Sequence, residues 1–166
     1  MSDLPDDSPT SDVAKFRQVL GHFPSGVTVV TAMATEGPVG LAIGSFASLS
    51  LEPPQVLFCP AKSSGSWPRI REAGTFCVNI LADDQEDVSR VFASKGSDKF
   101  AEIGWRRSGN GSPLLDGVLA YIDCEVASVL DGGDHEIVIG AVQDLEVRHE
   151  GGPLVFFRGG YGRVSF

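Results

Sequence analysis

Short runs of this chain carry the side chains able to do chemistry. Lys62-Ser63-Ser64-Gly65-Ser66 leads into a helical pattern, so hydroxyls, free backbone N–H groups and a positive helix end converge there. That combination suits a phosphate group, although an ordinary serine cap in a loop has the same composition. His135 follows Gly-Gly-Asp at a tight turn between two long apolar patterns. It can hydrogen-bond a carboxamide or shield a reactive face, or it can be a solvated turn histidine. Arg158 and Tyr161 flank glycines near the carboxyl end. Arginine pairs with phosphate and tyrosine stacks on rings, while solvated termini carry similar residues. Phe92 and Phe100 bracket the run SKGSDK, where they suit an aromatic ligand or the core.

Other chemistries find no support. No G-x-G-x-x-G follows a strand, no P-loop occurs, and no serine sits in a G-x-S-x-G elbow. His22, His135 and His149 are scattered without ligand spacing, which gives no metal site. The formal charge is −9, from 13 Lys+Arg against 22 Asp+Glu. That balance excludes a nucleic-acid surface but not an anionic small ligand in a locally basic pocket. Cys59, Cys77 and Cys124 lie in apolar strand-like runs without C-x-x-C spacing, as buried free thiols do in a reducing compartment. The acidic amino terminus has no signal-peptide core, and no apolar run reaches the length of a membrane span. A soluble, cytoplasmic protein is expected.

These residues need a scaffold. At 166 residues and 42% hydrophobic content, the chain suits one domain with a substantial core. A flexible tail is expected over 1–10 and a single domain over 11–166. Ser11 or Asp12 is expected to cap a helix running to about His22, with Val13, Phe16, Leu20 and Phe23 on a buried face. The β-branched run 27–33 reads as a strand. The stretch 37–54 alternates larger apolar residues (Val39, Leu41, Ile43) with small ones (Gly40, Ala42, Gly44, Ser45), which is the strand period. The missing side chains on one face leave room for something flat close to the backbone, such as a flavin ring, or for a tight barrel corner.

Further along, 55–59 reads as a strand buried on both faces, and 75–81 as another. Between them, Ser66 is the expected cap of a helix that Gly74 stops. Asp83 and Glu86 have capping-box spacing before a helix through Ser94, with Val88, Val91 and Phe92 on one side. The segment 95–117 reads as a long functional or interface loop. Two long strands are expected over 118–129 and 136–147, then a short one over 154–157. Many strands, few helices and no βαβ alternation point to a mainly antiparallel barrel.

In order and spacing, several blocks resemble the flavin reductase family of split-barrel flavin-binding proteins. They are FRQVLGHFPSGVTVVT, PVGLAIGSFASLSLEPPQVLFCPAKSSGSW, GTFCVNILADDQEDVSRVFASKGSDKF, SPLLDGVLAYIDCEVASVLDGGDHEIVIGAV and FRGGYG, covering about Phe16 to Gly162. The text from Val56 to Val142 most resembles reductase components of two-component monooxygenases whose partner hydroxylates phenols. The resemblance implies a mainly β, antiparallel Greek-key split barrel with a few flanking helices. It also implies a homodimer and a flavin, FMN or FAD, near the subunit interface.

Carried over residue by residue, Pro38, Val39, Gly40, Leu41 and Ala42, with Gly44 and Ser45, would line the flavin ring and its side chain. Cys59, Pro60 and Ala61 would follow at the next strand end. Gly65 and Ser66 would approach the phosphate, with Lys62 and Ser64 nearby. Val91 and Phe92 would complete the pocket. His135, as the catalytic position, would sit where nicotinamide docks, and Arg158 and Tyr161 would close that side. Ala42 and Gly44 depart from the family, which often has a threonine and a larger polar residue there. Each lost hydrogen bond is worth about 1 kcal/mol, or roughly fivefold in affinity.

The implied activity is hydride transfer from NADH or NADPH to flavin, with reduced flavin supplied to a separate oxygenase. Two alternatives stay open at this point. One is a split-barrel flavoenzyme with a tightly held flavin acting directly on an organic substrate, and the other is a non-catalytic flavin-binding protein.

Overall fold

The computed structural model describes residues 9–96 and 98–165. The described residues begin with helix α1 (Pro9–Leu20), then strands β1 (Ser25–Gly26), β2 (Thr28–Ala34), β3 (Gly37–Ile43), β4 (Ala47–Leu51) and β5 (Pro54–Phe58). Helix α2 (Trp67–Ala73), strand β6 (Thr75–Ile80) and helix α3 (Glu86–Ala93) follow. The second half holds β7 (Trp105–Arg107), β8 (Pro113–Leu115), β9 (Ala120–Gly132), β10 (His135–Val147), β11 (Leu154–Phe157) and β12 (Gly160–Arg163).

Seven strands make the main sheet in the order β3-β2-β6-β9-β10-β5-β4. Every pairing in it is antiparallel. The chain builds one edge with β2–β3, crosses to the other with β4–β5, and returns to lay β6 beside β2. This is the mainly β, antiparallel split-barrel architecture, with β3 and β4 as the two edge strands. A three-stranded sheet, β1-β11-β12, and the β7–β8 hairpin complete it.

Period-two alternation sends neighbouring residues into two separate cores. Val30 of β2, Phe76 and Val78 of β6, and Val39, Leu41 and Ile43 of β3 join Phe58, Trp67 and Ile70 on one side. Val29 and Cys77 join Leu81, Phe92, Leu115 and Leu154 on the other. Gly140 is required beside the first of these cores: a Cβ there would stand 2.6 Å from Phe76 Cζ.

A buried polar knot ties the β7–β8 hairpin to the sheet. Asn79 donates to Val29 O (3.1 Å) and to Thr31 Oγ1 (3.0 Å), and its Oδ1 accepts the Leu115 N–H (2.9 Å). Thr31 Oγ1 donates to Pro113 O.

Several local expectations need correction. Helix α1 starts at Pro9, so Ser11 and Asp12 lie inside its first turn and are not its cap. Its apolar face is open: Phe16 is 66% exposed, Phe23 is 78% exposed, and Val13 and Leu20 are exposed too. Among the described residues, no other element packs extensively on that face. Strand β5 is not buried on both faces. Val56 and Phe58 are buried while Gln55 and Leu57 are half-buried, because one side of this near-edge strand is open.

Ser66 occupies the cap position of α2, but its backbone is already helical and its side chain makes no capping bond. Ser64 Oγ takes that role, accepting the N–H groups of Ser66 (3.3 Å) and Trp67 (3.2 Å). No capping box opens α3. Its cap residue is Gln85, whose side chain accepts from Ala82 N–H and donates to Asp116 O.

The segment 95–117 contains the β7–β8 hairpin, and the closing glycines form β12. Arg158 (φ 50°) and Gly159 (φ 77°) supply the two positive-φ positions of that tight hairpin turn. The tail expected over 1–10 lies outside the described residues, apart from residues 9 and 10, which open α1.

Replacing Asn79 with alanine strands the Leu115 N–H and frees the hairpin. Urea denaturation is expected to show a loss of about 3 kcal/mol, with the hairpin amides exchanging fastest.

Candidate functional site

A cavity of about 590 Å³ opens between edge strand β3, the loop before α2 and the end of α3. Its β3 wall is Pro38 to Ala42. Among the described residues β3 pairs on one side only, so its outer backbone groups have no ladder partner there. Gly40 is the close point of this wall. A Cβ there would lie 2.8 Å from Phe92 Cε1, so the absent side chain makes room for the Phe92 ring. Phe100 stacks edge-on against Phe92 at 5.0 Å, and Trp105 against Phe100 at 5.9 Å.

The α2 side of the cavity is polar. Ala61 and Ser63 to Ser66 line it, together with Arg69 of α2. The α3 side adds Phe92, Ala93 and Ser94, followed by Lys95, Gly96 and Lys99. Arg69, Lys95 and Lys99 are therefore three cations from separate stretches of chain. Among the described residues, no Asp or Glu lines the cavity. On a protein of net charge −9, this is a locally basic pocket.

Lys99 is the most constrained of the three. Its ammonium donates to Phe92 O (3.0 Å) and to Gly40 O (3.4 Å). Burial pulls its pKa below the usual lysine value, because a half-dry ammonium loses hydration.

The residues proposed from the sequence divide. Pro38, Val39, Gly40, Leu41, Ala42, Ala61, Ser64, Gly65, Ser66 and Phe92 meet at the cavity. Ser45 and Cys59 meet each other just outside it: Ser45 Oγ donates to Cys59 O (3.1 Å) and accepts Cys59 N–H (3.0 Å). Gly44 faces Ser25, whose Oγ would stand only 3.2 Å from a Cβ there, a tight contact. Val91 is half-buried on α3, off the cavity wall.

Lys62 turns away to form an ion pair with Asp131, which lowers the Asp131 pKa chiefly through that hydrogen bond. His135 is exposed at the start of β10, its Nδ1 2.8 Å from Asp134 Oδ1. The hydrogen bond to His135 holds the Asp134 carboxyl below its usual pKa. Pro60 binds this hairpin through its carbonyl, which accepts Glu136 N–H (3.0 Å), and Lys62 N–H donates to Asp134 O (2.9 Å).

Tyr161 and Arg158 lie on the β11–β12 hairpin, away from the cavity. Tyr161 Oη is 2.8 Å from Ser89 Oγ, and the Arg90 guanidinium lies over its ring. Arg158 N–H donates to Gly21 O (2.8 Å). Burial pushes the Cys124 thiol up to about 12 and raises Cys77 as well, so neither is a nucleophile.

The sequence does not single out Arg69, Lys95 and Lys99. Their signal was slight: basic residues on an acidic chain, close to the two runs already singled out.

The arrangement fits a ligand with a flat polar heterocycle and a phosphate. An unpaired strand edge offers donors and acceptors to the ring, and cations with hydroxyls offer the phosphate its partners. A family model described as "Flavin reductase like domain" matches residues 20–165. The chain belongs to that family.

It is 57% identical over 158 residues to "Flavin-dependent monooxygenase, reductase subunit HsaB" of Mycobacterium tuberculosis, covering 93% of this chain and 83% of the relative. Among solved structures it is similar to nitrilotriacetate monooxygenase component B from Mycobacterium thermoresistibile. The TM-score is 0.92 and the identity 50%, over 95% of this chain and 89% of that one. It is also similar to the NADH:FAD oxidoreductase SgcE6 of Streptomyces globisporus in complex with NAD and FAD fragments. There the TM-score is 0.89 and the identity 34%, over 99% and 98% of the two chains.

The contact between Gly40 and Phe92 yields a double-mutant test. Gly40→Ala alone is expected to cost about 2 kcal/mol by overpacking. Adding Phe92→Leu should recover at least half of that in urea melts, because the smaller side chain vacates the new methyl's position.

Proposed function

We propose that this chain is an NAD(P)H-dependent flavin reductase that passes hydride from a dihydronicotinamide to FMN or FAD and supplies reduced flavin to a separate monooxygenase. The observation that carries the reading is the cavity: one wall is an unpaired strand edge without a side chain at Gly40, and among the described residues three cations but no carboxylate line it. The reductase names and flavin and nicotinamide ligands of its relatives agree with that chemistry.

In this reading the β3 edge from Pro38 to Ala42 hydrogen-bonds the flavin ring, with Gly44, Ser45, Cys59 and Pro60 shaping its rim. Ser64, Gly65, Ser66 and Arg69 hold the phosphate. Phe92 backs the wall, and Val91 and Tyr161 support it from α3 and the last hairpin, Tyr161 through Ser89, while Arg158 stays outside the site. The hairpin bearing His135 receives the nicotinamide, and Asp134 orients the imidazole. Hydride passes from nicotinamide C4 to the flavin. The protein binds, aligns and excludes water, and no side chain has to move a proton in that step.

A second copy of the chain covers the open face of α1. Val13, Phe16, Val19 and Leu20 are exposed there, with Phe23, Phe156 and Phe157 exposed nearby. Apolar surface of that extent is uncommon on a monomer. The reading is thus of a homodimer, and its three free thiols suit a reducing cytoplasm.

Anaerobic mixing with NADH or NADPH and either flavin is expected to bleach the oxidised flavin absorbance catalytically. Absence of bleaching with every combination refutes the reductase reading. His135→Ala is expected to raise the KM for the nicotinamide about tenfold, with flavin affinity changed less than about twofold. Phe16→Glu is expected to convert a dimer in sedimentation velocity into a monomer; an unchanged dimer would remove α1 from the interface.

A further inference from the structure

We infer that Lys99 places a fixed positive charge at the ring wall of the cavity and makes the protein prefer reduced, anionic flavin over oxidised, neutral flavin. The inference rests on the reductase reading above. Lys99 is held in place: two of its three ammonium donors go to the carbonyls of Phe92 and Gly40. Those carbonyls belong to the end of α3 and to the β3 edge, the wall where Gly40 admits the Phe92 ring. The serine hydroxyls and Arg69 belong to the opposite, α2 side. Arg69 and Lys99 therefore stand on different walls of the cavity.

The Lys99 charge is also uncompensated. Among the described residues no carboxylate pairs with it, and none lines the cavity. Carbonyl dipoles fix the ammonium without neutralising it, and half-burial strips part of its water. A charge in that state attracts an incoming anion more strongly than a surface lysine does.

Hydride supplies that anion. It carries two electrons with one proton onto a neutral ring and leaves the nicotinamide oxidised, so the flavin holds one net negative charge until a solvent proton joins it. A fixed cation at the ring wall stabilises the product relative to the substrate. The enzyme then keeps reduced flavin bound until the oxygenase takes it, which shields it from free oxygen.

The test measures dissociation constants anaerobically for oxidised and reduced FMN, in wild type, Lys99→Met, Lys99→Gln and Lys99→Arg. In the Met and Gln variants the reduced-flavin constant is expected to rise about tenfold, and the oxidised constant by less than about twofold. For a two-electron couple, a tenfold selective loss lowers the bound midpoint potential by about 30 mV. Arginine should restore the preference.

Glutamine keeps donors for both carbonyls, so it separates the charge from the latch and serves if the Met variant does not fold. Riboflavin, which has no phosphate, should show the same selective loss. If the loss vanishes with riboflavin, Lys99 serves the phosphate and the inference is overturned. Equal weakening of both redox forms also overturns it. If wild type binds neither form, the failure is that of the reductase reading itself.

Discussion

One close approach governs the cavity: the Phe92 ring lies against the backbone of Gly40. It sets the distance between the end of α3 and the edge of the main sheet, because any Cβ at residue 40 would stand inside the ring's contact radius. Lys99 binds the carbonyls of the same two residues. Phe100 and Trp105 then continue the aromatic row away from Phe92. The ligand wall, its charge and the loop that follows α3 thus all hang on a contact between one glycine and one phenylalanine.

A second constraint joins the two ends of the proposed reaction. The loop before α2 is stitched to the β9–β10 hairpin through Lys62 N–H to Asp134 O, Glu136 N–H to Pro60 O, and the bridge between Ala61 and His135. Glu136 also accepts from Trp67 and Arg71 of α2. The loop that carries the phosphate-side hydroxyls and the hairpin that carries His135 therefore form one mechanical unit. Lys62, which local sequence aimed at a phosphate, works in that seam through its pairing with Asp131.

The protein's charge is organised against its average. A chain of net charge −9 would repel an anionic nucleotide on most of its surface. The cavity reverses this by gathering Arg69, Lys95 and Lys99 and keeping carboxylates off the wall. The separation raises local attraction while the rest of the surface stays acidic.

Strand periodicity, the small-residue face of β3, the serine-rich loop and the order of the blocks were legible from the chain alone. They sufficed for a mainly β antiparallel fold, the family, and ten of the cavity's wall residues, because each rests on local spacing or on blocks in fixed order. The open face of α1 was not legible, since helical spacing of Val13, Phe16 and Leu20 says that a face is apolar, not what covers it. Nor were the caps of α2 and α3, where neighbouring backbone angles decide which side chain can reach an N–H. What filled the space above Gly40 was a matter for tertiary structure: sequence says only that a Cβ is missing, while Phe92, 52 residues away, reaches that point through the packing of α3 on β3. The same packing brings Lys99 to the wall, because a lysine's role depends on which carbonyls and which cavity its head group meets.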